Sequence, residues 1–210
     1  MSPQRQALGI LDFWFGSRPY ARDAVLRRMR LWFGHADAPE LRPQADEMLR
    51  QRFGLLVSAA ALGACDLWES SPRRRLALIL LLDQFPRHIY RGEARAYEQD
   101  RRALALTVGG MQLGAEAALD PVERIFFYMP LAHAESAELQ EESVSAFRRL
   151  AAEAPAELAP LFSAAVHRAE QLQELIQRFG RFPHRNAVLG RESTPDEVEW
   201  LATSAARVGR

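Results

Sequence analysis

Asp83 closes an otherwise apolar run, Leu76-Ala77-Leu78-Ile79-Leu80-Leu81-Leu82. At helical spacing it shares a face with Leu76, Ile79 and Leu80, so burying those three brings its carboxylate to the core. A carboxylate out of water costs several kcal/mol unless paired or hydrogen-bonded, so an arginine must stand near. Arg87 at i+4, Arg124 and Arg185 are the candidates. Such a group either pins a helix end as a structural ion pair or serves as the acid/base or anchor of a cleft.

A second concentration of polar chemistry spans Phe179 to Arg191, a loop between helical segments with His184, Asn186 and the guanidinium groups of Arg181, Arg185 and Arg191. Planar forks of this kind grip carboxylates and phosphates, and an imidazole titrates near neutral pH. The same forks could cap helix carbonyls or pair with Asp83 and Glu123. His133 and Glu135 follow Pro130, which reads as a helix break, and could converge there on a metal or a substrate. Tyr90 and Tyr128 are expected at a cleft wall.

Several chemistries are excluded by what the chain lacks. All 27 basic residues are arginine, against 27 acids, which removes lysine Schiff-base chemistry and the charge excess that nucleic-acid or membrane-surface binding uses. The lone cysteine, Cys65, allows neither an intrachain disulfide nor a cysteine-based zinc cluster, and in its apolar setting reads as inert. No Gly-x-Ser-x-Gly elbow or phosphate-binding glycine loop occurs. Paired Glu-x-x-His motifs are also missing, so no metal and no cofactor is expected. No signal peptide is read at the start and no apolar run approaches the roughly 20 residues that span a bilayer. A cytoplasmic protein is expected.

The elements that must position these residues are helices throughout, for no alternating Val/Ile/Thr-rich segment competes with the helical period. Ser71-Pro72, Asp120-Pro121-Val122-Glu123 and Thr194-Pro195-Asp196-Glu197 are helix starts, the last two with the reciprocal acceptor-and-Glu pattern of a capping box. Further helices are predicted over Arg5 to Phe15, Ala21 to Phe33, Pro39 to Phe53, Leu55 to Leu62, Gln99 to Leu113, Ser136 to Ala154 and Glu157 to Phe179. This makes an all-α array of about ten helices in a single domain, residues 1–210. The echo between Phe85-Pro86-Arg87-His88 and Phe182-Pro183-His184-Arg185 suggests two equivalent corners.

The block from Leu76 through Asp83-Gln84-Phe85-Pro86-Arg87, then Ile89-Tyr90-Arg91-Gly92, Glu123-Arg124, Tyr128-Met129-Pro130-Leu131 and Phe179-Gly180-Arg181-Phe182-Pro183-His184-Arg185-Asn186 resemble the bacterial family known as domain of unknown function 924. The likeness runs from Ile10-Leu11-Asp12-Phe13-Trp14-Phe15 to Ser193-Thr194-Pro195, departing from the usual pattern at His88, where asparagine is common, and at Ala132 to Ser136. The resemblance implies a compact tetratricopeptide-like arrangement of helix pairs, and no reaction.

The expectation drawn from the residues is a binding module whose polar cleft gathers Asp83, Arg87, Arg124, His133, His184, Arg185 and Asn186 around a small anionic ligand or an acidic peptide terminus. The alternatives are an acid/base, hydrolase-like enzyme pairing Asp83 or Glu123 with His184, and a structural or protein-interaction scaffold in which every polar group closes a network.

Overall fold

The computed structural model describes residues 2–33 and 42–208, with no strand among them. Its α-helices are α1 (Pro3–Phe15), α2 (Arg22–Phe33), α3 (Arg42–Ala61), α4 (Pro72–Ile79), α5 (Phe85–Ile89), α6 (Asp100–Gln112), α7 (Pro121–Ala132), α8 (Ala137–Ala152), α9 (Ala159–Phe179) and α10 (Pro195–Val208). The fold is all-α. Among the described residues no helix is long and apolar enough to cross a membrane.

The helix starts lie where the sequence places them. Asp120 accepts from the Val122 amide at 2.9 Å while Glu123 accepts from the Asp120 amide at 3.1 Å, and Thr194 and Glu197 exchange the equivalent bonds at the head of α10. Expected helices over Pro39 to Phe53 and Leu55 to Leu62 are one helix from Arg42 to Ala61, residues 39–41 lying outside the described residues. Gly54 does not interrupt it, since a glycine inside a helix costs only about 1 kcal/mol, which the burial of Leu49, Phe53, Val57 and Ala60 on one face readily outweighs.

The core is built around α4, which packs against α1, α6 and α7 and is buried almost all round. One wall is an aromatic cluster in which Phe126 of α7 meets Trp14, Phe15 and Trp32 at centroid distances of 5.5, 5.4 and 4.8 Å, mostly edge to face. Sequence neighbours pack most closely at α7 on α8 and α8 on α9, whereas the chain between α4 and α6 is cut into short pieces. No helix pair of constant length therefore repeats through the described residues.

Those pieces shape the site. α4 runs without a break into a π-helical turn, Leu80–Gln84, where the Phe85 amide reaches back five residues to the Leu80 carbonyl, and from there into α5. Pro86 consequently does not make a corner. It sits just past the widened turn, where its missing N–H goes unneeded. Phe182-Pro183 is different, lying in a short 3₁₀ turn after the left-handed Gly180 that ends α9. The two Phe-Pro blocks are thus not structural equivalents. Nor does Pro130 break α7, which continues two residues beyond it.

Gly110 marks the tightest approach in the core: a Cβ there would lie 2.6 Å from Phe127 and 2.9 Å from the Arg75 side chain. Gly110→Ala is expected to lower stability by about 1–3 kcal/mol in urea denaturation. In α1, where a Cβ on Gly9 meets nothing within 4 Å, Gly9→Ala is expected to raise stability by about 0.5–1 kcal/mol.

Candidate functional site

The π turn sets Asp83 fully inside the protein. Its carboxylate is met by Arg87 Nη1 at 3.1 Å, by Gln84 Nε2 at 2.5 Å and by His133 Nδ1 at 2.7 Å. Burial alone would push this carboxyl up, but Arg87 and His133 hold it well below the usual range, so it is ionised at neutral pH. An ionised carboxylate only accepts hydrogen bonds, so His133 carries its proton on Nδ1 and donates it to Asp83. That leaves Nε2 as an unprotonated acceptor, without a hydrogen bond among the described residues and not sealed from solvent. Burial and the neighbouring Arg87 lower the His133 pKa, which keeps the imidazole neutral.

Arg87 is engaged through both of its Nη atoms. It forms a two-point pair with Asp100, both contacts at 2.9 Å, while Nη1 also reaches the Asp83 carbonyl at 2.7 Å. Asp100 opens α6, where a negative charge suits the positive end of the helix. Arg185 stands on the other side of Asp100. Its Nη1 lies 3.4 Å from Asp100 and donates at 3.1 Å to the carbonyl of His133, the residue that ends α7. The guanidinium is clamped between the rings of Tyr97 and Phe182, 4.8 and 4.5 Å from their centroids. Arg185 is 6% exposed, yet its Nε is buried with no partner and its Nη2 makes no hydrogen bond among the described residues. Burial, and then Arg87 beside it, bring its pKa down to about 10, so it remains charged.

Of the seven residues expected in the cleft, the structure brings Asp83, Arg87, His133 and Arg185 into one hydrogen-bonded network. Arg124 is elsewhere, paired with Glu153 at 3.1 Å and capping the Leu119 carbonyl. Asn186 faces the head of α10, donating to Ser193 and Glu197 at 3.0 and 3.1 Å. His184 adjoins the network without a hydrogen bond: its ring tilts on Phe182, its Nδ1 is buried and unpartnered, and burial and Arg185 bring its pKa down to about 4. It pairs with neither Asp83 nor Glu123. Glu123 instead takes Tyr20 Oη at 2.7 Å, Arg73 at 3.4 Å and Arg18. Glu135 is held by Arg191 and by the Phe182 amide at 2.8 Å, so it does not converge with His133 on a metal position. Arg181 grips Glu197. Cys65 is buried, and that burial raises its thiol pKa.

Asp100 and Tyr97 escaped the sequence reading, since one looks like an ordinary helix start and the other belongs to no motif. The tyrosines expected at a cleft wall do other work: Tyr128 is buried against Phe127 and Phe147, and Tyr90 lies under Arg95. A second carboxylate–imidazole pair, Asp46 with His88 Nδ1 at 2.8 Å, was also missed. Arg91 saturates it with a two-point bond. A groove of about 680 Å³ lies between α1 and the head of α4, lined by Leu8, Arg73 and Arg74 among others. It holds no titratable pair.

The model of the family described as bacterial protein of unknown function (DUF924) matches residues 10–205, nearly the whole chain. The chain belongs to this family. Among solved structures, this DUF924 chain is similar to a protein of unknown function from Agrobacterium tumefaciens, with 33% identity, a TM-score of 0.75 and coverage of 96% of this chain and 99% of that one. No curated protein matches.

The buried imidazoles make stability depend on pH. His184 has a folded pKa of about 4 against an ordinary 6.5, so the unfolded chain takes up the proton first as pH falls. The stabilisation is complete above about 6.5 and is lost on descending towards 4, an effect on the order of 2 kcal/mol. Urea denaturation from pH 7.5 to 4.5 should show this loss. His184→Phe, which preserves the ring contact, should lower the slope, leaving the part that belongs to His133.

Proposed function

We propose that this chain is a binding module for a small anionic ligand, taken up at the open edge of the Asp83–Arg87–Asp100–His133–Arg185 network, with Arg185 as the anchor of the ligand's charge. The observation behind this reading is the imbalance between the two arginines. Arg87 bonds both Asp100 oxygens and the Asp83 carbonyl and lies 3.1 Å from the Asp83 carboxylate, whereas Arg185 is withdrawn from water with one 3.4 Å carboxylate contact, one carbonyl and a buried Nε that bonds to nothing. A guanidinium short of acceptors is costly to bury, and an anion bonded to its free edge would relieve that cost. Tyr97 and Phe182 fix the plane of the fork, so little side-chain entropy is lost when a ligand arrives.

A specific observation favours a scaffold as the second reading. Leu55 on α3 and Leu62 just past its end, seven residues apart, are 92% and 89% exposed, as an unpartnered interaction face would be.

A thermal-shift screen of the purified chain against inorganic phosphate and small mono- and dicarboxylates, at constant ionic strength, separates the two. A ligand at 100 times its dissociation constant adds about 2.7 kcal/mol to the folded state. The binding reading expects at least one anion to raise the midpoint, with the rise abolished in Arg185→Met and weakened in Arg185→Lys. Equal midpoints across the panel, or a rise that persists in Arg185→Met, would refute it and move attention to the α3 face.

A further inference from the structure

We infer that the anion taken by this site carries a neutral hydroxyl beside its charged group: the ligand class is a short hydroxy acid. The inference rests on the anion-binding reading and sharpens it.

Donors and acceptors at the site's edge must be met by their complements. Arg185 can only donate, so the part of the ligand that it holds must accept. His133 presents the opposite face. With Asp83 ionised and hydrogen-bonded to Nδ1 at 2.7 Å, the outward Nε2 has a lone pair and no proton, and whatever meets it must donate. A bare carboxylate or a fully ionised phosphate has no proton to offer and would set negative charge against that lone pair. A hydroxyl group satisfies it.

Both groups stand at the end of α7, because Arg185 Nη1 is bonded to the main-chain carbonyl of His133 itself. A small ligand that meets both must carry an acceptor and a donor in one short molecule. No protein hydroxyl or thiol is hydrogen-bonded to His133 among the described residues, its one side-chain bond being to Asp83, so the donor is left for the ligand to supply.

Charge separates a hydroxyl from an ammonium. Asp83 and Asp100 are already balanced by Arg87 and Arg185, and the remaining neighbours, Glu135 and His184, are held by Arg191 and kept neutral by burial respectively. An ammonium brought here would face two guanidinium groups without a free carboxylate to receive it, which favours the hydroxyl donor over a zwitterionic amino acid.

The test is isothermal titration at pH 7.5 with matched triplets that differ only in the donor: lactate, propionate and alanine, then malate, succinate and aspartate. The hydroxy acid of at least one triplet is expected to bind ten-fold or more tighter than its deoxy and amino counterparts. A site built to bond a hydroxyl rejects the analogue that lacks it. His133→Phe is expected to erase that preference while leaving the weaker, Arg185-dependent binding of propionate or succinate in place. Equal binding of hydroxy and deoxy acids with Arg185 dependence retained would overturn the hydroxyl assignment and leave the anion site standing. Preferred binding of the amino acid would overturn it too. Failure of all six to bind while phosphate does would also sink it, and failure of every anion would remove both readings.

Discussion

A single carboxylate placed inside the core sets the terms for this half of the molecule. Asp83 has no contact with water, and a buried charge of this kind persists only if the surrounding groups return what hydration would have supplied. Here that takes a guanidinium, an amide and an imidazole, drawn from the π turn, from α5 and from the end of α7. Each recruited group then needs partners of its own. Arg87 brings in Asp100 and so fixes the head of α6, Asp100 brings in Arg185, and Arg185 ties the Pro183–Arg185 turn to the carbonyl that ends α7. Four segments distant in sequence are held in register by one chain of charge.

The π turn is what makes the chain of charge geometrically feasible. A regular α-helix through Leu80–Gln84 would keep the backbone bonds tidy and would rotate α5 to a different angle about the helix axis. The widened turn lets Pro86 follow without breaking the rod, and it lies where Asp83 and Arg87 both reach their partners. Such turns inside helices often mark functional positions. The network has an unfinished edge, ending on the Nε2 of His133 and on the fork of Arg185, whose Nε is buried without a partner. The Asp46–His88–Arg91 cluster shares the carboxylate–imidazole contact, with Arg91 taking both oxygens of its carboxylate.

The all-α class and the helix starts were legible because local chemistry decides them. A capping box is written in four residues, and the Asp120 and Thr194 boxes form as spelled. Burial of Asp83 was legible for the same reason, since it follows from i+3 and i+4 spacing on one helix, and Arg87 at i+4 was one of three arginines that could meet it. His133 and Arg185 could be named as chemically apt, but nothing local says that they meet Asp83 rather than Glu123. The long-range partners Asp100 and Tyr97 carried no signal at all. Proline was the misleading punctuation. Pro86 and Pro130 read as breaks, yet one follows a π turn and the other falls two residues before the helix ends, where the loss of one amide donor does not interrupt the helix.

Everything at the open edge depends on an ionised Asp83 that fixes the proton of His133 on Nδ1 and leaves Nε2 bare. Long-range proton–nitrogen correlation spectra of uniformly nitrogen-15-labelled protein at pH 7 report this directly, with His133→Gln assigning the signal. The expected spectrum is that of a neutral ring with a protonated Nδ1 and a bare Nε2, shifting towards the Nε2-protonated tautomer in Asp83→Asn. A doubly protonated ring at pH 7, or a proton on Nε2 in the unsubstituted protein, would contradict it.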